Sequence, residues 1–144
     1  MLTGNDVVIE ARTWIGTPFK HQGRLKHLGV DCVGLIYCVG RDLGIIDADM
    51  ATQKAMKYLS YPEIPKNSIV RRACEDYLVH IHRLKARPGD VILMDFGRVA
   101  RHVGIFTGST IIHVTARTGR CVEHSINQSW KNRFCGYYRY PGLV

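Results

Sequence analysis

No apolar run in this 144-residue chain comes near the roughly 20 residues that a membrane span requires, so no spanning helix is expected. The start, MLTGNDVVIEART, lacks the basic head, apolar core and small-residue cleavage site of a secretory signal. The expectation is synthesis in the cytoplasm without a signal peptide. No CxxC pair occurs, and the five cysteines (Cys32, Cys38, Cys74, Cys121 and Cys135) are odd in number. Neither a disulfide framework nor a structural zinc site fits that pattern; free thiols and a reducing place of synthesis do. HExxH, a P-loop and a dinucleotide fingerprint are all missing, so no metal and no cofactor is expected. Nor is there an internal repeat, a low-complexity tract or a linker. Residues 1–144 read as one domain, long enough to bury a sizeable core.

Acidic residues are scarce: 12 Asp and Glu against 20 Lys and Arg, a net charge of +8. An anionic partner would suit that balance, whether nucleic acid, an acidic membrane or a carboxylate-rich wall polymer. A basic solvated surface would also account for the charge taken alone. No recognition helix or zinc-finger signature accompanies it, so nucleic acid is not the expected partner.

What is present divides into helices first and strands second. Apolar residues at Val7, Val8, Ala11, Trp14 and Ile15 have helical spacing, which predicts a helix over roughly Asn5 to Ile15 that GTPF then stops. KHQGRLKHLGV reads as an irregular basic loop. Asp31 to Leu43 predicts a second helix, with Gly44 able to close it. Two further helical stretches are expected near Ala48–Leu59 and Ser68–Leu84, on either side of SYPEIPKN. ARPGD marks a turn. After it the period changes: VILMDF, HVGIFTG, TIIHVT, CVEHSI and FCGYYRY are short β-branched or aromatic runs separated by turn residues. The fold class is therefore α+β, an antiparallel sheet covered by helices on one side.

Cys32 stands out within LGVDCVGLIYC. With Asp31 or Val30 near the cap it falls in the first turn of a helix, where backbone N–H groups lack partners and the helix dipole is positive. Both effects favour a thiolate, so the expected pKa is lowered from the usual value of about 8.5. Gly34, without a side chain, lets another element or a substrate approach this turn. Cys38 and Cys74 read as core thiols, the ordinary fate of a free cysteine. Cys121 and Cys135 fall in strands with no base signal beside them.

Seven histidines are available as a base: 21, 27, 80, 82, 102, 113 and 124. His102 and His113 lie in RHVGIFTGSTIIHVT. If Gly108-Ser109 is a two-residue hairpin loop, paired residues add to 217, which sets His113 opposite Gly104. Because strands alternate with period 2, His102 and His113 then share a face as diagonal neighbours. Gly104 leaves room for the imidazole of His113. One ring can take a thiol proton while the other fixes its tautomer. His80 and His82, two apart on an expected helix, do not face one way. His124 has no adjacent support. His21 and His27 sit in the basic loop and are placed to line a cleft entrance.

GTPFKHQGR, GVDCVGLI, RPGDVI, RHVGIF and IIHV, in that order, resemble the NlpC-type papain-like cell-wall peptidases, over nearly the whole chain except the Ala48–Lys85 helices. The resemblance implies a papain-like fold, with N-terminal helices and the Cys at a helix start packed on a C-terminal antiparallel β-sheet that carries the histidines. It implies Cys32 as nucleophile, His102 as general base and His113 as the orienting third member. Amide bonds of bacterial peptidoglycan stem peptides would be the substrate, and the backbone N–H of Cys32 would help hold the oxyanion. Asp31 matches a family position near the substrate's free amine. Phe19 stands where many members have Tyr, and Val33 where they have Ser. Both positions, with His21, are read as substrate-binding. GTPF, DCVGL and the closing YYRYP look most like the branch found in phage tails and gene-transfer particles. That branch implies tail or tail-like particle proteins as partners and action on the periplasmic wall from outside. An amidase or transpeptidase using the same triad, or a tail-tip assembly module with little activity, are the alternatives.

Overall fold

The computed structural model describes residues 1–47, 69–97 and 100–144. The helix expected near Ala48–Leu59 lies outside the described residues.

Helix α1 runs from Gly4 to Arg12. Thr3 caps it in a capping box: its hydroxyl accepts from the Asp6 N–H at 3.4 Å, and the Asp6 carboxylate accepts from the Thr3 N–H at 2.8 Å. The helix stops at Arg12 rather than Ile15. The Thr13 hydroxyl donates to the Glu10 carbonyl, and a tight turn of Thr13 to Gly16 carries Trp14 into the core, fully buried.

Two short strands, β1 (Arg24–Leu25) and β2 (Gly29–Val30), then pair as a small hairpin inside the segment expected to be irregular. Helix α2 follows at Cys32–Asp42, capped by Asp31, with the Gly44 N–H donating to the Arg41 carbonyl beyond its end. Helix α3 occupies Ile69–Tyr77, which shortens the expected Ser68–Leu84 helix. Its continuation is pulled away by long-range pairing: Val79–His80 forms strand β3 against Arg139 and Tyr138, and Arg83–Lys85 is a single 3-10 turn capped by the His82 ring.

Each of the five expected strands forms: β4 (Val91–Asp95), β5 (Ala100–Phe106), β6 (Thr110–Val114), β7 (Cys121–Ser125) and β8 (Phe134–Arg139). A short helix α4, Gln128–Lys131, precedes β8. The sheet order is β3-β8-β4-β5-β6-β7, and its pairs are antiparallel. The turn at ARPGD is closed by Asp90, whose carboxylate accepts from the Arg87 N–H and pairs in two bonds, 2.7 and 2.8 Å, with Arg139.

Alternation sorts the side chains by sheet face. Val91, Leu93, Val103, Ile105, Ile112 and Val114 join Val7, Trp14, Leu35, Val39 and Val70 of the helical layer in the main core. Ile92, Met94 and Ile111 form a second cluster on the opposite face, packed by Trp130, Phe134 and Tyr137. The Tyr140 hydroxyl reaches back to donate to the Ile36 carbonyl at 2.6 Å, and the Val144 N–H donates to the Leu2 carbonyl at 3.0 Å. Among the described residues, no helix is long and apolar enough to cross a membrane.

Candidate active site

The Cys32 half of the site is assembled from neighbours in sequence. Asp31, buried at 5% exposure, accepts from the Gly34 N–H at 2.8 Å as the α2 cap. The same carboxylate accepts from the Gln22 N–H at 2.8 Å and from Arg24 at 2.9 Å. One side chain thus ties the start of α2 to the segment before it. That segment lies so close that a Cβ on Gly34 would stand 2.5 Å from the Gly23 carbonyl oxygen. The space left by Gly34 is taken by the protein's own loop.

Cys32 is the first residue of α2 and is half-buried. Its thiol is not acidified. Burial pushes it up to about 12, the Asp31 carboxylate pushes the same way, and backbone hydrogen bonds from Val103 and Val33 only partly offset them. The expected lowering at the helix start is not found: burial and the Asp31 carboxylate raise the thiol instead. Cys74 and Cys121 are raised by burial to about the same value, so acidity does not distinguish Cys32. Position does. Cys38, Cys74 and Cys121 are buried, and Cys135 is exposed on β8.

The histidine half depends on register. The β5–β6 pairs Ile105–Ile112 and Phe106–Ile111 have the 217 sum that a Gly108-Ser109 loop demands, and the Thr107 N–H donates to the Thr110 carbonyl. His102 and His113 consequently share a face, with His102 Nε2 2.7 Å from His113 Nδ1. A Cβ on Gly104 would stand 3.1 Å from the His113 Cβ, so the glycine does make room for this ring. Both histidines are buried, at 5% and 0% exposure. Burial, then the neighbouring His113, holds His102 well below its ordinary pKa; burial, then His124, lowers His113 to about 4.

His124 extends the pair. Its Nε2 lies 2.7 Å from His113 Nε2, and its Nδ1 lies 2.8 Å from the Ser125 carbonyl oxygen. Three imidazoles on three adjacent strands thus form one hydrogen-bonded chain. Trp130 of α4 covers two of them, 5.2 Å from the His113 ring and 4.8 Å from the His124 ring. Phe96 packs 5.4 Å from His102. Arg133 bridges the two aromatic rings, 4.7 Å over Phe96 and 5.2 Å over Trp130. None of Trp130, Phe96, Arg133 or His124 was singled out by the sequence.

The two halves meet at β5. Alternation puts His102 and His113 on the face of Ile92, Met94 and Ile111, while α2 packs on the other face. Val103, the residue after His102, bridges them through its backbone hydrogen bond to the Cys32 sulfur. Since Nε2 of His102 is engaged by His113, its Nδ1 is the nitrogen that remains for a proton from the thiol.

The other sequence candidates flank this junction. Val33 is half-buried in the first turn of α2, and Phe19 bridges to Val30 while its N–H donates to the Gly119 carbonyl; both pack on the main core. His21 is half-buried and adjoins Gln22, whose N–H is held by Asp31. The His27 N–H donates to the Thr17 hydroxyl at 3.1 Å. His80 meets Tyr138 edge-on from β3, and His82 caps the turn at Leu84, both apart from this junction. Among the described residues, no group of three or more His, Cys, Asp or Glu is placed to hold a metal ion.

A helix that starts at Cys32, set against a histidine-bearing antiparallel sheet, makes a papain-like α+β fold. Residues 16–139 match the NlpC/P60 family, and the chain belongs to it. The murein DD-endopeptidase MepS/murein LD-carboxypeptidase of Escherichia coli K12 is 23% identical over 122 residues, which covers 84% of this chain and 54% of that protein. The chain thus spans about half the length of the curated relatives it matches. An NlpC/P60 family protein from Bacillus cereus superposes with a TM-score of 0.69 at 20% identity, covering 96% of this chain and 40% of that one. The NlpC/P60 domain of the peptidoglycan hydrolase SagA gives 0.66 at 21% identity, covering 95% and 98%.

Proposed function

We propose that this chain is a cysteine peptidase that hydrolyses amide bonds in the stem peptides of bacterial peptidoglycan. The observation that carries the reading is the junction at β5: the Val103 backbone hydrogen-bonds the Cys32 sulfur at the start of α2, one residue along the strand from His102, whose Nε2 is engaged by His113. The murein endopeptidase and peptidoglycan hydrolase names of its relatives support the substrate class.

The chemistry follows from the protonation states. At rest the thiol and the His102 ring are both neutral, because burial opposes a lone charge on either. As sulfur attacks the scissile carbonyl, its proton passes to His102 Nδ1. A C–S bond forms and the carbonyl oxygen becomes an oxyanion at the start of α2, where the Cys32 N–H is the donor assigned to hold it. His102 then returns the proton to the departing amine, which leaves a thioester. Water, deprotonated by His102, releases the new carboxylate and restores the thiol. Phe19, Val33, Asp31 and His21 border the Cys32 side and are the residues assigned to substrate contact, with Asp31 acting also through the Arg24 and Gln22 segment it holds.

A place in a phage tail or tail-like particle, acting on the wall from outside, is the finer part of this reading. It is supported by GTPF, DCVGL and YYRYP in their order along the chain. Digestion of purified peptidoglycan, followed by mass spectrometry of the products, tests the activity. New stem-peptide ends should appear with the wild type and vanish with Cys32→Ala; products that persist in Cys32→Ala would rule out the thiol mechanism. Immunodetection on purified particles tests the location.

A further inference from the structure

The three ring contacts admit few proton arrangements, and one oxygen decides between them. The Ser125 carbonyl can only accept, so His124 carries a proton on Nδ1. A neutral His124 then has its lone pair on Nε2. The 2.7 Å contact there requires His113 to donate from Nε2. His113 is left with a lone pair on Nδ1, and the next 2.7 Å contact requires His102 to donate from its own Nε2. His102 Nδ1 ends without a proton. We propose that His124 is a positioning residue for the reaction: anchored on the Ser125 carbonyl, it fixes the direction of the histidine chain and keeps His102 Nδ1 open as the general base.

The proposal rests on the cysteine-peptidase reading for its purpose, but its geometry stands in the resting protein. Burial keeps His102 and His113 neutral, as the arrangement requires. The reverse arrangement is reached by one added proton. With Nε2 of His124 protonated, that ring donates on both sides. His113 must then accept at Nε2 and donate from Nδ1, and His102 must accept at Nε2 and hold its proton on Nδ1, where the thiol proton was to go. The groups facing His124 are His113 from β6 and the uncharged Trp130 from α4, with the Arg133 guanidinium beyond that ring. Glu123, its neighbour in β7, is engaged by Arg12 and Thr110.

The test is ring-nitrogen NMR of the full chain labelled with 15N-histidine, joined to peptidoglycan turnover. At neutral pH, His102 should be protonated on Nε2 and bare on Nδ1. A proton on Nδ1 would overturn the proposal whether or not the protein cuts the wall. His124→Gln can turn its amide oxygen to His113 and preserve the direction, whereas His124→Lys offers only donors and reverses it. His124→Lys should therefore lose the roughly 10²–10⁴-fold that general-base catalysis supplies, and His124→Gln far less. The His102 tautomer should reverse in the first variant only. Equal losses in two folded variants with an unchanged His102 tautomer would reduce His124 to a packing role. An inactive wild type with the expected tautomers would sink the peptidase reading and leave the chain's direction intact.

Discussion

The two halves of the site are built by different means. On the Cys32 side, Asp31, Gly34, Gln22 and Arg24 lie within a dozen or so residues of one another, and a single carboxylate joins them. On the histidine side, His102, His113 and His124 are eleven residues apart at each step and meet only because β5, β6 and β7 pair in register. A local lesion should disturb the first half alone. The second is as sound as the sheet beneath it, and its two inner rings, His102 and His113, are buried.

The largest effect should come from the histidine side. His102→Gln removes the proton acceptor and should lower turnover by the roughly 10²–10⁴-fold that a general base contributes. His113→Gln keeps a group able to hydrogen-bond the His102 ring and should retain measurable activity, with His113→Ala losing more. Turnover of peptidoglycan by the three variants checks this; an active His102→Gln beside a dead His113→Gln would reverse the assigned roles.

Gly34→Ala should hurt less and should confine its damage to the Cys32 side. The new Cβ meets the Gly23 carbonyl and the Asp31 carboxylate, so the segment before β1 must move. Overpacking of this kind costs about 1–3 kcal/mol, readable by urea unfolding. Histidine ring shifts should stay at their wild-type positions; if they move as well, the halves are not independent.

The smallest effect is the pH dependence of stability. His113 is lowered from its ordinary 6.5 to about 4, and His102 is lowered too. Between those values the unfolded chain binds protons that the folded chain refuses, so stability rises with pH across the window and falls as pH drops from 6.5 toward 4. From about pH 7 to about pH 6 the loss should be on the order of 1 kcal/mol. His113→Gln should flatten the slope, as followed by urea midpoints.

The same division explains what could be read without coordinates. Five strands were legible because β-branched and aromatic runs stand between turn residues, and the β5–β6 register because Gly108-Ser109 admits a two-residue turn. Cys32 was legible from its place before a helical pattern. His124 was not, because its alignment depends on the turn from Thr115 to Arg120. That turn is closed by reciprocal bonds between Thr115 and Thr118, which no simple spacing rule anticipates. The β1–β2 hairpin escaped because His27, not a glycine, adopts the positive φ of 69° in its turn. Strand β3 escaped because its partner lies some sixty residues away in β8. The thiol's basicity escaped because solvation depends on packing that the local sequence does not carry.

The 3.0 Å bond from the Val144 N–H to the Leu2 carbonyl holds the two ends of the chain side by side. Chain entering and leaving the domain therefore passes through one point on its surface. Any host protein could accept the whole unit in an exposed loop, much as a pendant hangs from a single link, without its own backbone being parted. Joined ends also make the fold a natural subject for circular permutation, since a short peptide from Val144 to Met1 would close the loop with little strain.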